Sequence, residues 1–264
     1  MVLSFRVYLC QSVVDMSVLQ TTHRCALALM ARVPSLSIDD ARILPLTAGE
    51  ATGLKHCFLR DLAASIGVAV DSGRAEGVVV FTPGRAESLL RELLPKNFKL
   101  FPQRGETPGE VLSNAVEDLL SRGFPAVCLV NSDSPTVPRS ILEVAIESLS
   151  RPGDCMVLGA LDHGGYYLIG LKEGHRDLFE RVSSNTANIV SHTTARAAAI
   201  GLKVEMLPPW YEVKDARGLN RLCKELLGHD SRDAHIAPYT SQYLAKLIET
   251  YGAGYLSPDL SRRA

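Results

Sequence analysis

No two of the six cysteines, Cys10, Cys25, Cys57, Cys128, Cys155 and Cys223, form a Cys-x-x-Cys pair. That absence argues against a zinc site or a disulfide framework. Because several of them sit inside apolar runs, buried free thiols in a reducing compartment are expected instead. A dominant charge is missing too. The 28 basic and 29 acidic residues leave a net charge of −1, which supplies no field for sequence-independent binding of nucleic acid. Long apolar runs are absent, and a stretch such as Cys25 to Ala31 falls well short of the roughly 20 residues that span a bilayer. Arg6 and Asp15 interrupt short apolar patches near the start, so no signal peptide is expected and the cytoplasm is the expected location. The chain has no Ser/His/Asp order, His-x-x-x-His helix, Walker loop, dinucleotide glycine fingerprint or fixed-period repeat.

What is present is a full core composition, 46% hydrophobic and 22% charged over 264 residues, and apolar strands that alternate with helical periodicity. Strands are expected at Cys25–Ala31, Gly77–Phe81, Phe98–Phe101, Ala126–Val130, Cys155–Ala160, Tyr166–Leu171 and Lys203–Leu207, the last broken by Pro208-Pro209. Helices are expected at about 48–66, 86–94, 109–120, after Pro138, at 175–182, 186–200, 215–227 and 238–251. The expected fold is a three-layer α/β/α domain around a mainly parallel sheet. It would cover residues 25–228, with an N-terminal extension (1–24) and a C-terminal helical appendage and tail (229–264).

The stretch Ala126 to Pro138 organises the rest. An uncharged strand runs into Asn131-Ser132-Asp133-Ser134-Pro135, and a proline then opens the next helix. Asp133 therefore stands at the carboxyl edge of a parallel strand, where open α/β sheets bind ligands. A carboxylate there can hold Mg²⁺ against a phosphate, or it can simply cap the turn. In Asp162-His163-Gly164-Gly165-Tyr166-Tyr167 the paired glycines allow a ligand to approach the backbone, or supply a hairpin turn. In Trp210-Tyr211-Glu212-Val213-Lys214-Asp215, Glu212 and Asp215 can complete a metal site with Asp133. Otherwise the aromatics plug the core and Asp215 caps a helix.

Together, Ser132-Asp133-Ser134-Pro135, the run Asp162 to Leu171 and Trp210-Tyr211-Glu212-Val213 resemble the bacterial DUF2064 family, described as glycosyltransferase-like or selenodomain-associated transferases of GT-A (nucleotide-diphospho-sugar transferase) fold. The resemblance implies a nucleotide-dependent transferase, glycosyl- or nucleotidyltransferase-like, that uses an NTP or NDP-sugar with Mg²⁺ (or Mn²⁺). Asp133 and Asp162 would be its catalytic carboxylates, with Asp133, Glu212 and Asp215 around the metal. Arg42, Ser134 and Lys214 would meet nucleotide or phosphate, and Gln103, Gly105, Gly164, Gly165 and Tyr166 the sugar or acceptor. No nucleic-acid or membrane partner is implied. The sequence also departs from the family. In its phosphate loop the glycine is Ser37, the lysine Asp40 and the threonine Ala41, and the second acid of its Asp-Val-Asp-Thr is Lys214. Those losses imply the alternative of a diverged, non-catalytic member that serves as a ligand-binding or interaction module.

Overall fold

The computed structural model describes residues 24–33, 43–71, 73–180, 188–228 and 236–256. The N-terminal extension up to residue 23, the run 34–42 with Arg42 and the altered phosphate loop, and the tail from residue 257 lie outside them.

The expected strands form one seven-stranded sheet. They are β1 (Cys25–Arg32), β2 (Ala75–Thr82), β3 (Lys99–Pro102), β4 (Val127–Asn131), β5 (Cys155–Leu161), β6 (Tyr166–Leu171) and β7 (Lys203–Trp210). Their spatial order is β3-β2-β1-β4-β6-β5-β7. β1, β2, β3 and β4 pair in parallel, as do β5 and β7, while β6 runs antiparallel between β4 and β5. The chain moves outward from β1 to β3 and returns to place β4 on the other side of β1. The connections therefore diverge between β1 and β4, which opens a crevice at the carboxyl ends of those two strands.

Burial on both sheet faces explains the nearly continuous apolar runs. On one face Leu27, Leu29, Cys128 and Val130 pack against α1 (Ala48–Val70), α2 (Glu87–Leu93) and α4 (Arg139–Ser150). On the other, Ala26, Ala28, Val127 and Leu129 pack against α3 (Pro108–Ser121) and α5 (Ile189–Ala199). A third apolar cluster joins the outer side of α1 to α6 (Ala216–Leu227) and α7 (Pro238–Tyr251).

Two expectations are corrected. β7 does not stop at Pro208-Pro209 but continues to Trp210, across a register shift against β5. It is an edge strand paired on one side only, so the missing proline N–H groups break no ladder. The helix expected at 175–182 is a single 3-10 turn, Arg176–Phe179. The C-terminal helix is bound tightly to the domain. Asp61 on α1 accepts from the Tyr239 and Thr240 backbone N–H groups and the Thr240 hydroxyl at 2.6–3.0 Å, and so caps the start of α7.

Candidate functional site

At the crevice between β1 and β4 lies a cleft of about 500 Å³. Its floor is Met30 and Leu129, and its lip carries Arg32, Asn131, Ser132 and Asp133 from the ends of β1 and β4. Thr82, Gln103, Gly105 and Glu106 close one side, Tyr166 and Lys214 the other. The structure thus brings together five of the residues singled out from the sequence: Asp133, Lys214, Gln103, Gly105 and Tyr166.

Local folding fixes several of these positions. Gly105 has φ +112°, and a Cβ there would stand 2.8 Å from the Val111 backbone nitrogen, so no other residue fits without a shift. Glu110 completes a capping box with Thr107 at the start of α3, its Oε2 accepting from the Glu106 and Thr107 backbone N–H groups and so holding the loop. Asp133 is held from both sides. Its N–H donates to Asn131 Oδ1 at 2.9 Å, and its carbonyl accepts from Val213 N at 2.8 Å, which ties the β4 lip to the segment after β7.

Two ion pairs define the electrostatics. Lys55, from the middle of α1, reaches Asp133 Oδ1 at 3.3 Å, and both side chains are only 15% exposed. At that separation and an effective dielectric of about 20, the attraction is about 5 kcal/mol before desolvation is subtracted. Glu212 is 6% exposed and receives three partners: Asn131 Nδ2 at 3.0 Å, His163 Nε2 at 2.9 Å and Lys214 Nζ at 2.8 Å. Arg32 is exposed and makes no ion pair with another described residue.

The remaining candidates lie elsewhere. Asp162, Gly164 and Gly165 form the β5–β6 hairpin turn, with Gly164 at φ +96° and Leu161 N donating to Gly165 O at 2.7 Å. Asp162 turns outward to Arg221 Nη1 at 2.6 Å. Ser134 is fully buried beneath the loop and does not line the cleft. Asp215 caps α6, accepting from Gly218 N at 2.8 Å. Tyr211 is a core plug whose hydroxyl donates to Glu225, and burial pushes its phenol well above the ordinary range.

At the strand lip Asp133 is already paired with an ammonium, both Glu212 oxygens are engaged, and Asp215 is committed to its helix. The residues present do not fit a metal there. A cluster that could hold an ion, Asp154 with Glu173 and His175, stands at the amino-terminal edge of β5, away from the cleft.

Sequence reasoning missed Arg32 and Lys55, and read His163 as an exposed turn histidine without a role rather than a general base. Arg32 carried a usable signal, since it ends the strand beside the switch point. Lys55 carried none, because a lone lysine on a helix reads as a solvated side chain.

Residues 65–186 match the family model described as "Uncharacterized protein conserved in bacteria (DUF2064)". The resemblance read from the sequence is to the same family. The matched run, under half of the chain, is similar to that family. It runs from the end of α1 through β6, so it includes Gln103, Gly105, Asp133 and Tyr166 but neither Arg32, Lys55 nor Lys214. Over most of the chain the fold is similar to that of a solved protein from Desulfovibrio desulfuricans G20, described as a "putative nucleotide-diphospho-sugar transferase". The identity is 23% and the TM-score 0.71, over 86% of this chain and 97% of that one. A cytidylyltransferase from Leptospira borgpetersenii serovar Hardjo-bovis (13% identity, 89% of this chain and 97% of that one) and the 4-diphosphocytidyl-2C-methyl-D-erythritol synthase of Anaerococcus prevotii (9%, 85% and 97%) each have a TM-score of 0.49. No curated protein matches by sequence. Among the described residues no helix is long and apolar enough to cross a membrane.

Proposed function

We propose that the chain is a nucleotide-dependent transferase, glycosyl- or nucleotidyltransferase-like, whose cleft takes an NTP or NDP-sugar. The observation that carries this reading is the convergence of Arg32, Asp133 and Lys214 on one cleft at the topological switch point of the sheet. Arg32 and Lys214 offer donors to the phosphates, Arg32 as a planar fork and Lys214 as a compact charge. Gln103 and the Gly105 backbone, across the cleft, face the sugar or acceptor. The half-buried Tyr166, on the same side as Lys214, supplies an apolar wall. Transfer then depends on positioning the two reactants and on fixed cations beside the charge that develops on the transferring group. The Mg²⁺ or Mn²⁺ expected from the family resemblance has no place in this reading, because the donor set does not fit it.

The second reading, a diverged binding module, is favoured by one observation: Asp133 is neutralised by Lys55 and so is not free to act as a base. Calorimetry with the four nucleoside triphosphates and UDP-glucose, followed by product analysis with phosphorylated sugars, separates the two. Binding that disappears in Arg32→Ala/Lys214→Ala supports the cleft as the nucleotide site, and turnover supports the transferase. Binding without turnover leaves the module. No binding of any nucleotide, or equal binding by the double variant, rejects the cleft as the site.

A further inference from the structure

We propose that this cleft binds nucleotide phosphate without a divalent metal, Lys55 standing on Asp133 where a metal would otherwise be required. The inference rests on the nucleotide reading of the cleft and says how that cleft handles charge. A carboxylate at the lip of the central strand repels phosphate unless a cation covers it. Here the cover is built into the chain. Lys55 projects from α1 to within 3.3 Å of Asp133 Oδ1, and the pair is 85% shielded on each side, both partners being 15% exposed. A cation arriving from solvent would have to displace an ammonium held at short range in a largely dry site.

The second acid of the site is closed in the same way. Glu212, 6% exposed, is shared among Asn131, His163 and Lys214, so neither of its oxygens is left for a metal. That arrangement also aims Lys214. An ammonium has three N–H donors, and the 2.8 Å contact to Glu212 uses one, so two remain for phosphate oxygens in the cleft that Lys214 lines. Arg32, without an ion-pair partner among the described residues, lines the same cleft. The three cations thus divide the work. Lys55 neutralises the lip carboxylate, while Lys214 and Arg32 face the ligand.

The test is calorimetric titration of the full chain with CTP and with GTP, once in EDTA and once in excess MgCl₂, for the wild type, Lys55→Met and Lys55→Met/Asp133→Asn. Wild-type dissociation constants in EDTA and in Mg²⁺ should agree within about threefold. Lys55→Met should bind at least about tenfold more weakly in EDTA and regain affinity in Mg²⁺, because the bare Asp133 then needs a metal. Removing that carboxylate as well, in the double variant, should restore metal-free binding, and this separates a charge effect from a folding defect. Wild-type binding that needs Mg²⁺ overturns the inference and leaves the nucleotide reading standing. Binding of neither nucleotide under either condition overturns both.

Discussion

Replacing Gly159 by alanine should loosen the wall of the cleft from behind. Gly159 lies in β5 opposite β6, and the Tyr167 ring rests flat over it: an added Cβ would stand 2.4 Å from Tyr167 Cζ and 2.7 and 2.8 Å from two ring carbons. Tyr167 is fully buried and its hydroxyl donates to the Pro208 carbonyl at 2.8 Å, so the ring cannot tilt away without losing that bond. Overpacking of this kind costs about 1–3 kcal/mol, and loss of the hydrogen bond adds about 1 kcal/mol. A total of about 2–4 kcal/mol corresponds to a fall in Tm of roughly 5–12 °C for a chain of this size. Differential scanning calorimetry of Gly159→Ala, Tyr167→Leu and the double variant checks the cause as well as the size. Leucine removes the ring, so the double variant should be more stable than the sum of the single effects predicts by more than about 0.5 kcal/mol. Strictly additive effects, or a Gly159→Ala Tm within about 1 °C of wild type, would show that the ring does not sit where this reasoning needs it.

Asp61→Ala removes the acceptor of three hydrogen bonds at the start of α7 and should destabilise the fold by about 2–4 kcal/mol. A urea midpoint unchanged from wild type would mean that α7 is not anchored there. Acid should unfold the protein through its paired carboxylates. Arg176 holds Glu117 below its ordinary value, Arg104 holds Asp118 and Lys203 holds Glu205, from 4.5, 3.8 and 4.5 respectively. Their folded values are depressed, so their contribution is complete above those ordinary values and is lost as pH falls through the lower folded ones. Burial raises Asp61, which works with the opposite sign. Urea titrations should show stability falling below about pH 4.5, and a flat profile down to pH 3 would contradict the pairing. Burial also pushes the Cys25 thiol up to about 12 and the Cys128 thiol well above its ordinary value. Neither should be alkylated at pH 8 until the chain is denatured, and mass spectrometry showing rapid native labelling would refute their placement.

How much of this could be read from the sequence follows from which forces act locally. The strands were legible because burial on both faces writes uninterrupted apolar runs into Cys25–Arg32 and Val127–Asn131. Asp133 was legible as well, since a polar turn between such a strand and a helix marks the carboxyl edge. The course of β7 past Pro208-Pro209 was not, because the strand's position at the sheet edge is a fact about its neighbours. Lys55 and Asp133 are 78 residues apart, and His163 and Glu212 are 49 apart. No local pattern announces either contact. Asp215 and the Gly164-Gly165 turn illustrate the reverse: each serves its own helix or hairpin, as residue preference alone suggests.

The site is tested most directly by a crystal structure of the protein soaked with a nucleoside triphosphate. The account predicts phosphate density between the side chains of Arg32 and Lys214, with Lys55 still on Asp133. Density at another surface, with this cleft open, would contradict it.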